Sequence, residues 1–359
     1  MSENSLRLVA ALTAAVVLLL GVDALLFRTS LYPSILEPNS STGLFELTLK
    51  RELRNQEKAD SLIVTFGNSR FGYSTKSANA LTPRTGLFFG HAGVAGSDAR
   101  TWYYMLRDLD PGASRYRAIV FGVDDYADDD AEYELADDIR SLHYVIIRLR
   151  LSDVLDFAGS FRNRRLQWEA FRGALFKGLV LQRDVQAFLS HPVQRIHYVR
   201  LSDRFFATWT NDYVETSRNM AGLEVDWSKW TVRLPPNADD NQRDTVKHFL
   251  MRRPAPPDGH IARFRREWFG RILDRYRRSP TRIVFLRLPR GPVARPEELS
   301  PKGPGVIREF ASRPNVVLLD EHAFDALNHP ECFKDAMHLN REGVVRFTPL
   351  LVEQIGHAL

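Results

Sequence analysis

Leu62-Ile63-Val64-Thr65-Phe66-Gly67-Asn68-Ser69-Arg70 is a strand-like apolar run that stops at a Gly-Asn-Ser turn. Four further short runs share its character: Gly86 to Phe89, Ala118 to Gly122, Ile283 to Leu288 and Val316 to Leu319. Near-continuous apolar runs of this length suit parallel strands covered on both faces. Between them lie helical patterns, clearest in Ser97 to Leu109 and Glu342 to Leu359; the latter places Val344, Phe347, Leu351 and Ile355 on one stripe. Alternation of this kind predicts an α/β sandwich around a central parallel sheet. Ligands of such sheets bind outside the carboxyl ends of the strands. The Gly67-Asn68-Ser69 turn falls at one of those ends.

A Ser hydroxyl is a poor nucleophile until a positioned imidazole takes its proton, and a carboxylate must hold that imidazole in the right tautomer. The segment Asp335-Ala336-Met337-His338, just before the C-terminal helical pattern, holds both groups three residues apart. Ser69, Asp335 and His338 are therefore the candidate catalytic residues. They point to an enzyme that cleaves or transfers acyl esters. The single cysteine, Cys332, rules out an internal disulfide and reads as a small packing residue, since Ser69 already fits the nucleophile's role.

The 359 residues, 44% hydrophobic and 26% charged, are those of a globular chain rather than a disordered one. Leu8 to Phe27 is a 20-residue run broken only by Thr13, Gly21 and Asp23. A helix of that length, at about 1.5 Å per residue, reaches across the roughly 30 Å core of a bilayer. Asp23 lies near one end of the run, where its carboxylate reaches the interface. No small-residue cleavage pattern closes the run, so it reads as an uncleaved anchor over 1–28. Charge does not set its orientation, because Arg7 and Arg28 stand on opposite sides. Residues 29–57, with Pro33, Pro38 and Asn39-Ser40-Ser41-Thr42, read as a tether. The α/β domain then spans 58–359, interrupted by a helix-rich insertion over about 127–278 that is expected to cover the sheet's carboxyl edge. Near its end Phe264, Trp268, Ile272 and Tyr276 recur at four-residue steps among seven arginines, which predicts a helix that packs its aromatics and solvates its charges. No nucleic-acid-binding module accompanies the basic residues.

These blocks resemble the SGNH, or GDSL, hydrolases. The family's Gly-Asp-Ser block is matched by Gly67-Asn68-Ser69, and its Asp-x-x-His block by Asp335 and His338. Its second block ends on a Gly whose N–H joins the oxyanion hole; in His91-Ala92-Gly93-Val94-Ala95-Gly96-Ser97 the best match is Gly96. Its Gly-x-Asn-Asp block is matched by Gly122-Val123-Asp124-Asp125, with Asp124 where the family has an oxyanion-binding Asn. The resemblance covers roughly 60–126 and 282–357. It implies a flavodoxin-like three-layer sandwich, needing no cofactor or metal, and an oxyanion hole drawn from Ser69, Gly96 and Asp124. An ionised carboxylate cannot donate a hydrogen bond. Either Asp124 is protonated, or it points elsewhere, or backbone N–H groups alone form the hole. An anchored domain of this kind is similar to proteins that O-acetylate exported polysaccharides in bacteria. That likeness implies a single-pass protein of the inner membrane, its catalytic domain in the periplasm, acting on an acylated carbohydrate beside a membrane acyltransferase partner.

Other readings compete. A polysaccharide-binding or assembly subunit that keeps the fold without the activity is favoured by Asp124, and a lipase at the membrane surface by the anchor and arginines. Gly90-x-x-Gly93-x-x-Gly96 has the wrong spacing for a dinucleotide loop. The acidic residues Asp124, Asp125, Asp128, Asp129 and Asp130 lack the turn Gly and terminal Glu of a calcium loop. His91, beside Gly93, is a candidate substrate contact.

Overall fold

The computed structural model describes residues 3–57, 62–71, 74–128, 139–208, 218–253, 259–299 and 305–359. Strands β1 (Leu62–Phe66), β2 (Phe88–His91), β3 (Ala118–Val123), β6 (Arg282–Arg287) and β7 (Val316–Leu318) form one parallel sheet, ordered β2-β1-β3-β6-β7. Strands β4 (Glu224–Asp226) and β5 (Thr231–Arg233) pair separately as a hairpin. Helices α1 (Glu3–Phe27) and α2 (Ser41–Gln56) precede β1, and α3 (Ala99–Leu109) joins β2 to β3. Between β3 and β6 the longest helices are α4 (Arg164–Leu175), α5 (Lys177–Ser190), Pro192–Thr208 and α6 (His260–Arg275); α7 (Arg341–Ala358) follows β7. The chain divides into two compact units, Met1–Leu47 with Asp137–Ala207, and Thr48–Ala136 with Thr208–Leu359.

The second unit holds the parallel sheet. Counting only its own strands the order is 2-1-3-4-5, so the winding direction reverses between β1 and β3. The carboxyl ends flanking that switch point are where such sheets place ligands. Strand β2 begins two residues later than the apolar run suggests, because Gly86 takes the left-handed φ of 67° that ends a short helical turn. Period-two alternation sends Phe66, Phe121 and Phe285 to one face, where Phe121 stacks on Trp102 of α3 at 5.7 Å and meets Phe269 of α6 at 5.3 Å. Ile63, Val120, Val284 and Leu286 go to the other face and pack with Val344, Phe347, Leu351 and Ile355 of α7. Helices thus cover both faces. Asp98 caps α3 by accepting the Thr101 N–H at 2.9 Å, and Asn340 caps α7 through the Gly343 N–H at 2.9 Å.

The expected insertion over 127–278 does not hold together as one piece. Residues 137–207 group with the N-terminal segment, whereas α6 is a layer helix of the sheet unit. Its Phe264, Trp268 and Ile272, with Tyr276 at its C-cap, are buried, as their spacing predicts, but so is Arg265, which donates to Asp128 at 3.2 Å. Asp128 also accepts the N–H groups of Gly305 and Val306, so this part of the acidic run is a buried structural clamp. Asp129 and Asp130 lie outside the described residues.

The first unit contains α1, a helix about 37 Å long by its 25 residues. It is long and apolar enough to cross a membrane, and its apolar side chains lie almost wholly uncovered. Two charged residues, one near its C-terminal end and one just beyond it, have structural work. Asp23, expected at an interface, is buried and accepts the N–H groups of Lys177 (3.2 Å) and Gly178 (2.8 Å), capping the start of α5. Arg28 donates to the carbonyls of Ala174 and Leu175 at 2.8 and 3.0 Å, at the end of α4. A carboxylate thus meets the positive end of one helix and a guanidinium the negative end of another. The expected tether over 29–57 is also corrected: 41–56 is helical, and Ser40 caps it by accepting the Gly43 N–H at 3.0 Å. The polar cluster that reads as a breaker is the cap.

Candidate active site

Strand β1 ends at Phe66, and the chain turns sharply through Gly67-Asn68-Ser69-Arg70. The Asn68 side-chain oxygen accepts the Arg70 N–H at 3.0 Å, closing an Asx turn around Ser69, while the Phe71 N–H reaches the Asn68 carbonyl at 3.2 Å. Phe71 is buried beneath the turn, so close that a Cβ on Gly67 would lie 2.6 Å from its Cβ and one on Gly122 2.8 Å from its ring. Gly93 approaches from the loop after β2, where a Cβ would stand 2.2 Å from the Gly67 carbonyl oxygen. Glycines at these three positions let two loops and one aromatic ring close on the serine's turn.

The second half of the site comes from the segment before α7. The Lys334 N–H donates to the His338 carbonyl at 2.9 Å and the Asn340 N–H to that of Cys332 at 2.9 Å, so 332–340 folds back on itself. Asp335 is 2% exposed and its Oδ1 accepts the backbone N–H groups of Met337 and His338 at 2.9 and 2.8 Å. His338 Nδ1 stands 2.9 Å from Asp335 Oδ2, and His338 Nε2 stands 2.8 Å from Ser69 Oγ. Burial pushes the Asp335 pKa up, but the hydrogen bond and charge of His338 with the two N–H groups offset this and leave it below the usual carboxylate range. An ionised Asp335 fixes Nδ1 as the donor and leaves Nε2 as the acceptor for the serine proton. Gly291, at φ 146°, lets the loop after β6 pass against the Ala336 carbonyl.

Asp124 does not sit as an oxyanion donor. Its Oδ1 accepts from Arg70 Nη1 at 2.6 Å, and Asn68 Nδ2 lies 3.4 Å from the same oxygen. The carboxylate is the acceptor of an ion pair, and the guanidinium, only 8% exposed, is also held by the Pro289 carbonyl. His91, the candidate substrate contact, is held inside the fold. It is buried, with Nδ1 2.9 Å from Thr65 Oγ1 on β1, and burial and the nearby Arg51 charge bring its pKa down to about 3, so it is neutral. Gly96 takes a left-handed φ of 72° in the loop 92–97, but the glycine pressed on the serine's turn is Gly93. Cys332 is buried and burial raises its thiol pKa, which suits packing rather than nucleophilic attack.

Arg70 and Gly93 escaped the sequence reading. The signal for Arg70 was a charged residue directly after a serine in an otherwise apolar setting. That for Gly93 was the middle glycine of a three-residue repeat. Beside the turn a small pocket is lined by Asn68, Gly122 and Asp124 and by the aromatic Trp102, Phe264 and Phe269. Among the described residues no three His, Cys, Asp or Glu side chains cluster as metal ligands. No protein-family model matches this sequence, and no curated protein matches it either.

Proposed function

We propose that this protein is a serine-dependent acyl ester hydrolase or O-acyltransferase of SGNH type, acting on an exported carbohydrate. The observation that carries the reading is the relay from Ser69 Oγ to His338 Nε2 at 2.8 Å and from His338 Nδ1 to Asp335 at 2.9 Å. It stands at the carboxyl end of β1, beside the sheet's switch point. Ser69 attacks the acyl carbonyl while His338 accepts its proton; the imidazolium, steadied by Asp335, then protonates the departing alkoxide. A second hydroxyl, from water or a sugar, repeats the sequence on the acyl-serine. Backbone N–H groups of Ser69 and Gly96 are proposed to steady the oxyanion.

Helix α1 supports a membrane anchor, because it is long, apolar and uncovered. The resemblance to polysaccharide O-acetylation proteins extends the proposal to a periplasmic site on a bacterial inner membrane and to a membrane acyltransferase as partner. A p-nitrophenyl acetate assay on full-length protein in detergent tests the chemistry. Ser69→Ala and His338→Ala should each remove nearly all turnover, and the double variant little more, since members of such a relay act as a unit. Activity retained in Ser69→Ala excludes the mechanism.

A further inference from the structure

We infer that the side-chain amide of Asn68 donates to the oxyanion formed when Ser69 attacks its substrate, an inference that rests on the proposed acyl chemistry. In that step the Ser69 Oγ–carbon bond forms, the carbonyl π pair moves onto oxygen, and the serine proton passes to His338 Nε2. The new alkoxide needs N–H donors already in place, and one such donor is typically worth about 10²–10³ in rate.

Among the described side chains around Ser69, that of Asn68 suits this role best. Asp124 is an acceptor, and the Arg70 guanidinium donates through Nη1 to Asp124 and through Nη2 to the Pro289 carbonyl, while its Nε, unpartnered among the described residues, is buried away from the surface. Asn68 is different. Its Oδ1 accepts the Arg70 N–H at 3.0 Å, which settles which end of the amide is oxygen, because the reverse orientation would set an NH₂ against an N–H. The amide nitrogen is therefore directed away from that contact. Its one partner among the described residues is Asp124 Oδ1, at a long 3.4 Å, so the NH₂ keeps a donor in reserve. The Asx turn ties this amide to the nucleophile's own turn, and Asn68 also lines the small pocket there. Asp124 orients the amide from one side. Arg70, paired with Asp124, cancels a negative charge that would otherwise oppose the oxyanion.

The test uses full-length protein in detergent, with a fluorophosphonate whose phosphoryl oxygen occupies the oxyanion position and with p-nitrophenyl acetate. Asn68→Asp keeps an oxygen for the Asx turn and removes the donor. Asn68→Ser keeps the turn without adding charge. Both should lower kcat and the Ser69 phosphonylation rate by about 10²–10³-fold with KM little changed, since the contact exists only in the transition state. Wild-type rates in folded Asn68→Asp and Asn68→Ser overturn the assignment while leaving the Ser69 mechanism standing. A wild-type protein that is not phosphonylated at Ser69 removes the acyl chemistry itself, and this inference with it.

Discussion

At the scale of single residues, the relay was legible and its surroundings were not. Ser69, Asp335 and His338 could be read because a turn after an apolar run and an Asp three residues before a His carry their chemistry in the local string. Arg70, Gly93 and the fate of Asp124 depend on which loops meet after the chain folds, and no window of sequence contains that. His91 shows the same limit: beside Gly93 it reads as a ligand contact, yet its ring is buried against Thr65. Its burial has a measurable consequence. The unfolded chain protonates this His below about pH 6.5, whereas the folded protein holds it neutral down to about 3. The folded pKa is depressed, so the associated stability is present above pH 6.5 and is lost as pH falls. Between pH 6.5 and about 5.5, before most carboxylates titrate, this one group removes up to about 1.4 kcal/mol per pH unit. Urea melts across that range should show a falling midpoint, and His91→Gln, if it folds, should flatten the slope; an unchanged slope would mean His91 is charged or exposed in the folded protein.

At the scale of elements, the strands were legible because burial on both faces demands continuous apolar runs, and five such runs became the five parallel strands. The segment 41–56 was missed for a definite reason. Its Ser and Thr residues favour both turns and helix caps, and only the following turn of helix decides between them. Helix α1 carries the opposite lesson. Asp23 interrupts an apolar run and looks like a blemish, but it satisfies two orphan N–H groups at the start of α5. Asp23→Ala should therefore make the run more apolar and still destabilise the unit, by about 0.5–2 kcal/mol for a lost cap. Hydrogen exchange on the full-length protein checks this directly: amides near Lys177 and Gly178 should exchange faster in the variant. Unchanged protection there would show that Asp23 does not hold this helix.

At the scale of the whole molecule, the α/β class was legible from alternation, while the division into units was not. Residues 137–207 join the N-terminal 47 through contacts more than a hundred residues apart in sequence, such as Arg28 with Ala174, and periodicity carries no trace of them. What alternation does fix is the consequence for function. A parallel sheet whose winding reverses between β1 and β3 offers one crevice at its carboxyl edge, and the serine's turn is the loop that follows β1. The central claim is that an acyl group passes through a covalent bond to Ser69, and trapping that bond tests it most directly. Full-length protein is mixed with p-nitrophenyl acetate, quenched in acid within the first turnovers, digested and read by mass spectrometry. An acetyl group on the peptide carrying Ser69, absent in Ser69→Ala and absent in His338→Ala at the same time, is the predicted result. Nitrophenol release with no acetyl on that peptide, or the same acetylation in Ser69→Ala, would contradict it.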